Sequence, residues 1–176
     1  MDPVLIWTSA IVLSGLFLTA GLHKVWASAY YRGLISGYTG LSPTCAGMTG
    51  KVLALMEIST GTLIMLPDTR FAAACGALGL LMLYSLLIAV SLLRGLDMDC
   101  GCSGPLGRQK LSPWLLLRNG LLLLCAWLPT NPSTNRVTGF GDLLIILCSS
   151  AALILVYLAF EQLLSNRDKL VLLRSR

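Results

Sequence analysis

The chain has 176 residues, of which 56% are hydrophobic and only 12% charged. A soluble domain carries about 25% charged residues, so this chain lacks the polar surface to cover itself in water and belongs in a bilayer. Its net charge of +5 does not point to nucleic acid, because the basic residues gather at the ends of apolar runs, where they act as topology determinants beside anionic lipid.

Five apolar segments follow one another, at residues 4–21, 52–66, 71–93, 114–128 and 143–164. A membrane crossing needs roughly 20 residues. The first, third and fifth segments reach that length; the second and fourth are short, and the second is expected to start nearer Gly47. The expected fold class is all-α: a polytopic membrane helical bundle of about five transmembrane helices, forming a single domain over residues 1–176. The N-terminus has no basic n-region, since Asp2 is acidic. Its apolar run also exceeds the ~7–15 residues of a signal peptide, so it is expected to stay as a membrane anchor.

The connector over 22–50 is too long for a bare loop. Trp26, Tyr30 and Leu34, with Tyr31 and Ile35, recur four apart, a spacing that predicts a short helix lying in the membrane interface. Gly37 and Gly40 should break it and Pro43 close the turn. Further on, Pro67-Asp68 separates the second and third segments. Pro113 suits a first helical turn, Pro129 and Pro132 end the fourth segment, and Asp142 is an expected N-cap for the fifth. Ala72/Gly76 and Ala73/Ala77 place small residues four apart, which lets helices approach closely in lipid.

Five crossings put the termini on opposite sides. One side would hold the 22–50 connector, the loop over 94–113 and a basic C-terminal tail over 165–176. It carries Lys24, Arg32, Lys51, Arg94, Arg108, Lys110, Arg118, Arg167, Lys169, Arg174 and Arg176, which is 11 of the 13 basic residues; Arg70 and Arg136 make up the other two. The positive-inside rule therefore places that loop and the C-terminus in the cytoplasm, of an inner membrane crossed several times.

Of six cysteines, Cys75, Cys125 and Cys148 lie in apolar runs, where a thiol is a small hydrophobe; only Cys45, Cys100 and Cys102 are in polar segments. Cys100-Gly-Cys102 is the chain's most turn-rich stretch. A disulfide across one intervening residue closes a very small ring, which is strained and easily reduced, and Gly101 supplies the bend. Arg94, Arg108 and Lys110 favour a thiolate, and Asp97 and Asp99 oppose it. Redox exchange is the functional reading, and two unreactive surface thiols the bland one. No nearby Cys or His completes a four-ligand set, so no resident metal is expected, although a soft-metal pair is an alternative.

Four other residues could carry chemistry. Glu57 lies about six residues, ~9 Å at helical rise, inside the second segment. An acid at that depth is costly and marks a site unless it only builds a structural ion pair; Lys24, Lys51 and Arg118 are its candidate partners. His23, the only histidine, is either a base toward a thiol or a hydrogen-bonded helix end. Lys24 follows it. Arg118, with Asn119, stands one turn into the fourth segment, where the plain alternative is snorkelling to the headgroups. By topology His23, Lys24, Glu57, Cys100, Cys102 and Arg118 share one leaflet, joined by Glu161. Cys75, Cys125 and Cys148 map to the other.

The run Asp99-Cys-Gly-Cys-Ser-Gly-Pro105, followed by Trp114-Leu-Leu-Leu-Arg118-Asn119, resembles the MauE family of methylamine-utilisation membrane proteins, relatives of the DoxX-like membrane proteins. Gly21-Leu-His23-Lys24, Tyr38 with Pro43, and Glu57 followed by Gly61 are similar to that family's first half; Ser103 stands where the family often has an aromatic residue. The resemblance implies an inner-membrane helical protein that handles thiols and disulfides beside a thioredoxin-like partner, in maturing a disulfide-rich substrate protein. That maturation is periplasmic, whereas the basic residues of this chain set the loop on the cytoplasmic side.

The function expected is thus an integral-membrane thiol–disulfide oxidoreductase. Cys100 and Cys102 exchange with a thioredoxin-like partner in support of a cysteine-bearing substrate protein, and His23, Lys24, Glu57 and Arg118 serve protons and thiolates. A quinone is a candidate electron acceptor. The rivals are a soft-metal carrier and a non-enzymatic assembly scaffold.

Overall fold

The computed structural model describes residues 1–94, 113–132, 134 and 139–174. Among them there are helices and turns and no strand. The helices are α1 (Pro3–Trp26), α2 (Ser28–Thr39), α3 (Pro43–Leu63), α4 (Arg70–Leu93), α5 (Pro113–Trp127) and α6 (Phe140–Arg174), with one 3-10 turn at Leu128–Thr130 after α5. Three stretches are long and apolar enough to cross a membrane: α1, α4 and Phe140–Leu163 of α6. The outward faces of α4 and α6 carry exposed Met82, Leu86, Ile145, Leu155 and Val156, as expected of surfaces solvated by lipid. The molecule is a helical membrane protein.

Each helix start has a local cause. Asp2 accepts from the Val4 amide at 3.0 Å with Pro3 at the first helical position, where its missing N–H costs nothing. At the other end of α1, His23 and Lys24 complement the negative end of the helix dipole. Gly40 closes α2 with φ 69°, a left-handed conformation that glycine adopts without strain. Ser42 then caps α3 through the Cys45 amide, with Pro43 at its first position.

Three boundaries differ from expectation. Asp142 does not cap the last helix but lies in the first turn of α6, which starts at Phe140, and accepts from the Gly139 amide at 3.0 Å. The connector helix does not break at Gly37 but runs on to Thr39, and Pro43 opens the next helix rather than closing a turn. The second apolar segment therefore begins its helix at Pro43 instead of near Gly47. Its first turns, Thr44 to Lys51, are too polar to be drawn in by lipid. They are helical because Ser42 and Pro43 start the helix and α2 packs along it. Arg32 of α2 lies beside Gly47, and Ile35 beside Gly50.

Helices α1 and α3 run antiparallel in the closest crossing of the bundle. A methyl group added at Gly21 would come within 2.7 Å of Ile58 Cγ1 and 3.0 Å of the Ala54 carbonyl oxygen. One added at Gly61 would meet Leu18 Cγ at 3.0 Å and backbone atoms of Ser14 and Leu18 at 3.2 Å. Without a hydrophobic drive between helices in lipid, such contact surfaces hold by close packing, which glycine permits. The core continues through Ala10, Leu13 and Phe17 of α1, Ala73, Ala74 and Ala77 of α4, Ile64 and Ala126. Of the two small-residue pairs on α4, Ala73/Ala77 faces this core, while Ala72 is exposed and a methyl added at Gly76 would stand 3.4 Å from Thr60 Oγ1 of α3.

At the opposite end of α1 from Lys24, the chain terminus is tied down. The Met1 ammonium donates to the Pro132 carbonyl at 2.7 Å, and the Thr134 amide donates to the Met1 carbonyl at 2.9 Å. The Arg70 guanidinium stacks 4.0 Å above the Trp7 ring at this end.

Candidate functional site

The antiparallel crossing sets Lys24, two residues before the end of α1, against Glu57 of α3. Lys24 Nζ donates to Glu57 Oε1 at 2.6 Å and to Oε2 at 2.8 Å. Both side chains are buried, the lysine at 6% and the glutamate at 1% exposure. Tyr84 of α4 donates its phenol to Glu57 Oε1 at 2.5 Å. The ammonium also lies 5.3 Å from the centroids of both the Tyr31 and the Tyr84 rings. Ring faces are electron-rich and stabilise a desolvated cation. Three helices thus close around one carboxylate whose charge is fully met.

A second pair stands across from the first. Arg118 of α5 donates through Nη1 to Glu161 Oε1 of α6, both residues being buried. Its guanidinium carbon lies 6.0 Å from the Tyr157 ring centroid, also on α6. The next residue on α5, Asn119, is 2% exposed, and its Nδ2 has no hydrogen-bond acceptor among the described residues. An ionised side chain within a transmembrane helix costs about 2.5–3.5 kcal/mol on insertion scales, and marks function by default. Here two such pairs sit together.

Lys24, Glu57 and Arg118 border one small cavity of about 50 Å³, lined also by Tyr84, Asn119 and Tyr157 with apolar residues of α1, α4 and α5. One water needs roughly 10–15 Å³ of such volume, so the space suits a few ordered waters. An aromatic ring is larger: a cavity of ~150 Å³ is the size that admits benzene. A quinone ring would therefore enter only with movement of the walls. The chemistry available at the cavity is that of phenol, ammonium, carboxylate, guanidinium and amide side chains beside space for water, through which a proton can pass.

The sequence-derived candidates divide. Lys24, Glu57 and Arg118 come together at one cavity, as sharing a leaflet implied. Of the three partners weighed for Glu57, the structure selects Lys24, and Arg118 takes Glu161 instead. Glu57 is also deeper along its helix than expected: it is the fifteenth residue of a helix starting at Pro43, ~21 Å along at helical rise. His23 does not line the cavity; its Nδ1 pairs with the Tyr31 hydroxyl at 3.0 Å. Cys100 and Cys102 lie outside the described residues. Cys45, Cys75, Cys125 and Cys148 are free thiols. Sequence reasoning missed Tyr84 and Tyr157. The signal was there: a phenol inside an apolar helix, away from the aromatic belt of the interface, needs a hydrogen-bond partner.

A helical membrane protein with two buried ion pairs around a central cavity is the class that the fold and site define. The family model described as "Methylamine utilisation protein MauE" matches residues 2–131, and the chain belongs to that family. It is similar to Methylamine utilization protein MauE of Paracoccus denitrificans, 27% identical over 165 residues, covering 90% of this chain and 87% of the relative. The same-named protein of Paracoccus versutus is 29% identical over 168 residues, covering 92% and 88%. That of Methylophilus methylotrophus is 26% identical over 166 residues, covering 91% and 86%. No solved structure matches the chain.

Proposed function

We propose that this protein is an inner-membrane accessory of methylamine utilisation that exchanges thiols and disulfides with a thioredoxin-like partner through Cys100 and Cys102. The observation that carries this reading is the convergence of Lys24, Glu57, Tyr84, Arg118 and Asn119 on one buried cavity. Two of the helices that build it, α4 and α5, are the two that the segment holding Cys100 and Cys102 joins. Arg118 stands five residues, ~8 Å at helical rise, from the start of α5.

In the exchange, a partner thiolate attacks one sulfur of the Cys100–Cys102 disulfide. A mixed disulfide forms and the other loop sulfur leaves as a thiolate. The partner's second thiolate then displaces the loop sulfur. The partner's dithiol has become a disulfide, and the loop has gained two electrons and, on reprotonation, two protons. The step runs in either direction with the potentials of the couples. The network of Tyr84, Glu57 and Lys24 is suited to supply or store those protons, and Arg118 to favour a nearby thiolate. The count of basic residues supports a cytoplasmic loop and a bundle of five crossings in which α3 and α5 join the three long apolar helices.

Cys100→Ser and Cys102→Ser test the reading. Each is expected to abolish trapping of a mixed disulfide with a thioredoxin-fold partner whose resolving cysteine is removed, because a lone loop cysteine offers the partner thiolate no disulfide to attack. Equal trapping by wild type and both variants would refute the exchange.

A further inference from the structure

A second and larger cavity lies on the other side of Lys24. It has a volume of about 290 Å³ and is bounded by Lys24, Val25, Ser28, Tyr31, Lys51 and Leu55, between the end of α1, α2 and α3. Two glycines of α3, Gly47 and Gly50, line it and leave room that side chains would fill. An added methyl at Gly50 would already touch Ile35 Cδ1 at 3.4 Å. Arg32 reaches over Gly47, with its Nε 3.2 Å from where a methyl would stand.

Its position in the bilayer follows from its surroundings. Trp26, at the last residue of α1, is 83% exposed, and an outward tryptophan at a helix end marks the headgroup level. Val25 and Leu55, both exposed, make the cleft's mouth apolar on the lipid side. The charges are unequal. Lys24 and Glu57 neutralise each other. Lys51 and Arg32, both exposed, have no carboxylate partner among the described residues. The hydroxyl of Ser28 likewise makes no hydrogen bond among them.

We infer that this cleft binds the headgroup of one anionic phospholipid, its phosphate between Arg32 and Lys51 and its first acyl carbons against Val25 and Leu55. The volume is at the lower end of ligand pockets, ~300 Å³, which fits a headgroup and the start of a chain rather than a whole amphiphile. Charge complementarity selects the ligand: Lys51 and the Ser28 hydroxyl line the cleft, Arg32 stands beside its Gly47 wall, and no uncompensated anion lines it. The ligand would touch the far side of the lysine that holds Glu57. The inference is independent of any thiol chemistry.

Native mass spectrometry of the full chain, released from detergent with added phosphatidylglycerol or phosphatidylcholine, tests it. Wild type should retain one phosphatidylglycerol in preference to phosphatidylcholine. Each basic side chain near an anionic headgroup contributes about fivefold, so the double variant R32Q/K51Q should lose ~25-fold in retention. Gly50→Leu, which keeps every charge and fills the cleft, should lose it too. Raising ionic strength should weaken retention by wild type, a readout that needs no variant to fold. Equal retention of the two lipids, or unchanged retention in both variants, would overturn the assignment. Displacement of the lipid by millimolar sn-glycerol 3-phosphate would overturn it in favour of a soluble phosphate ligand.

Discussion

The Lys24–Glu57 pair makes the most demanding prediction. Its side chains are 6% and 1% exposed and their atoms approach to 2.6 Å, so neither charge has water to fall back on. Removing one member of a buried pair costs about 3–5 kcal/mol, mostly because the survivor is left uncompensated. Glu57→Leu should show that full loss. Glu57→Gln keeps an acceptor for Lys24 and Tyr84, and a hydrogen bond to a charged group is worth ~1.5–3 kcal/mol, so it should lose about 2–3 kcal/mol. Lys24→Met should resemble Glu57→Leu, since among the described residues it leaves the carboxylate only the Tyr84 phenol as a donor. Replacing both charges at once is often neutral, so Lys24→Met combined with Glu57→Leu should recover most of the stability. Unfolding of the purified protein in mixed micelles with rising dodecyl sulfate, followed by circular dichroism, measures all four. A double-mutant cycle that closes additively, to within about 0.5 kcal/mol, would refute the claim that these charges hold each other in place.

Three further outcomes follow from the same geometry. Tyr84→Phe removes the donor at 2.5 Å from Glu57 and should cost about 1.5–3 kcal/mol in that unfolding assay, with no effect in a Glu57→Leu background. Gly61→Leu should separate α1 from α3, because its first carbon meets backbone at 3.2 Å; a loss of ~1–3 kcal/mol or more is expected, whereas Gly79→Ala, with open space around it, should be silent. An impermeant maleimide should label Cys100 and Cys102 only from the cytoplasmic face, in a chain whose other four cysteines are serine and only after reductant. Labelling from the periplasmic face would reverse the topology that the basic residues imply.

Much of the site was legible because its members contradict their surroundings. A lysine, a glutamate and an arginine in so apolar a chain stand out, and their order along alternating helices places them at one level. Partner choice was not legible. Whether Arg118 turns to Glu57 or to Glu161 depends on the rotation of α5 about its axis, which hydropathy does not report in a helix apolar nearly all round. Tyr84 hid for a related reason, since it reads as one more hydrophobe in a run ending at Leu93. Apolar content alone sets the start of α3 too late, because its first turns are polar. The signal that decided it was the cap, Ser42 with Pro43, followed by a polar stretch that packs on α2.

The energetics of the bundle bear on what the two ion pairs are for. Cohesion between α1 and α3 is already supplied by the glycine crossing, where Gly21 and Gly61 bring the backbones together. Cohesion among α1, α4 and the end of α5 comes from an apolar cluster of alanine, leucine and phenylalanine. Neither needs a charge. Well-packed apolar residues of equal volume would hold the helices as well, and without the cost of taking four charged groups out of water. Pairs that add little to packing, that put Lys24, Glu57 and Arg118 at a cavity with room for water, and of which Arg118 stands on α5, one of the two helices joined by the segment of Cys100 and Cys102, are better explained by the proposed exchange than by the fold. If so, the double replacement of Lys24 and Glu57 should keep most of the wild-type stability and still fail to support disulfide exchange. A variant that folds and exchanges normally would return the pair to a structural role.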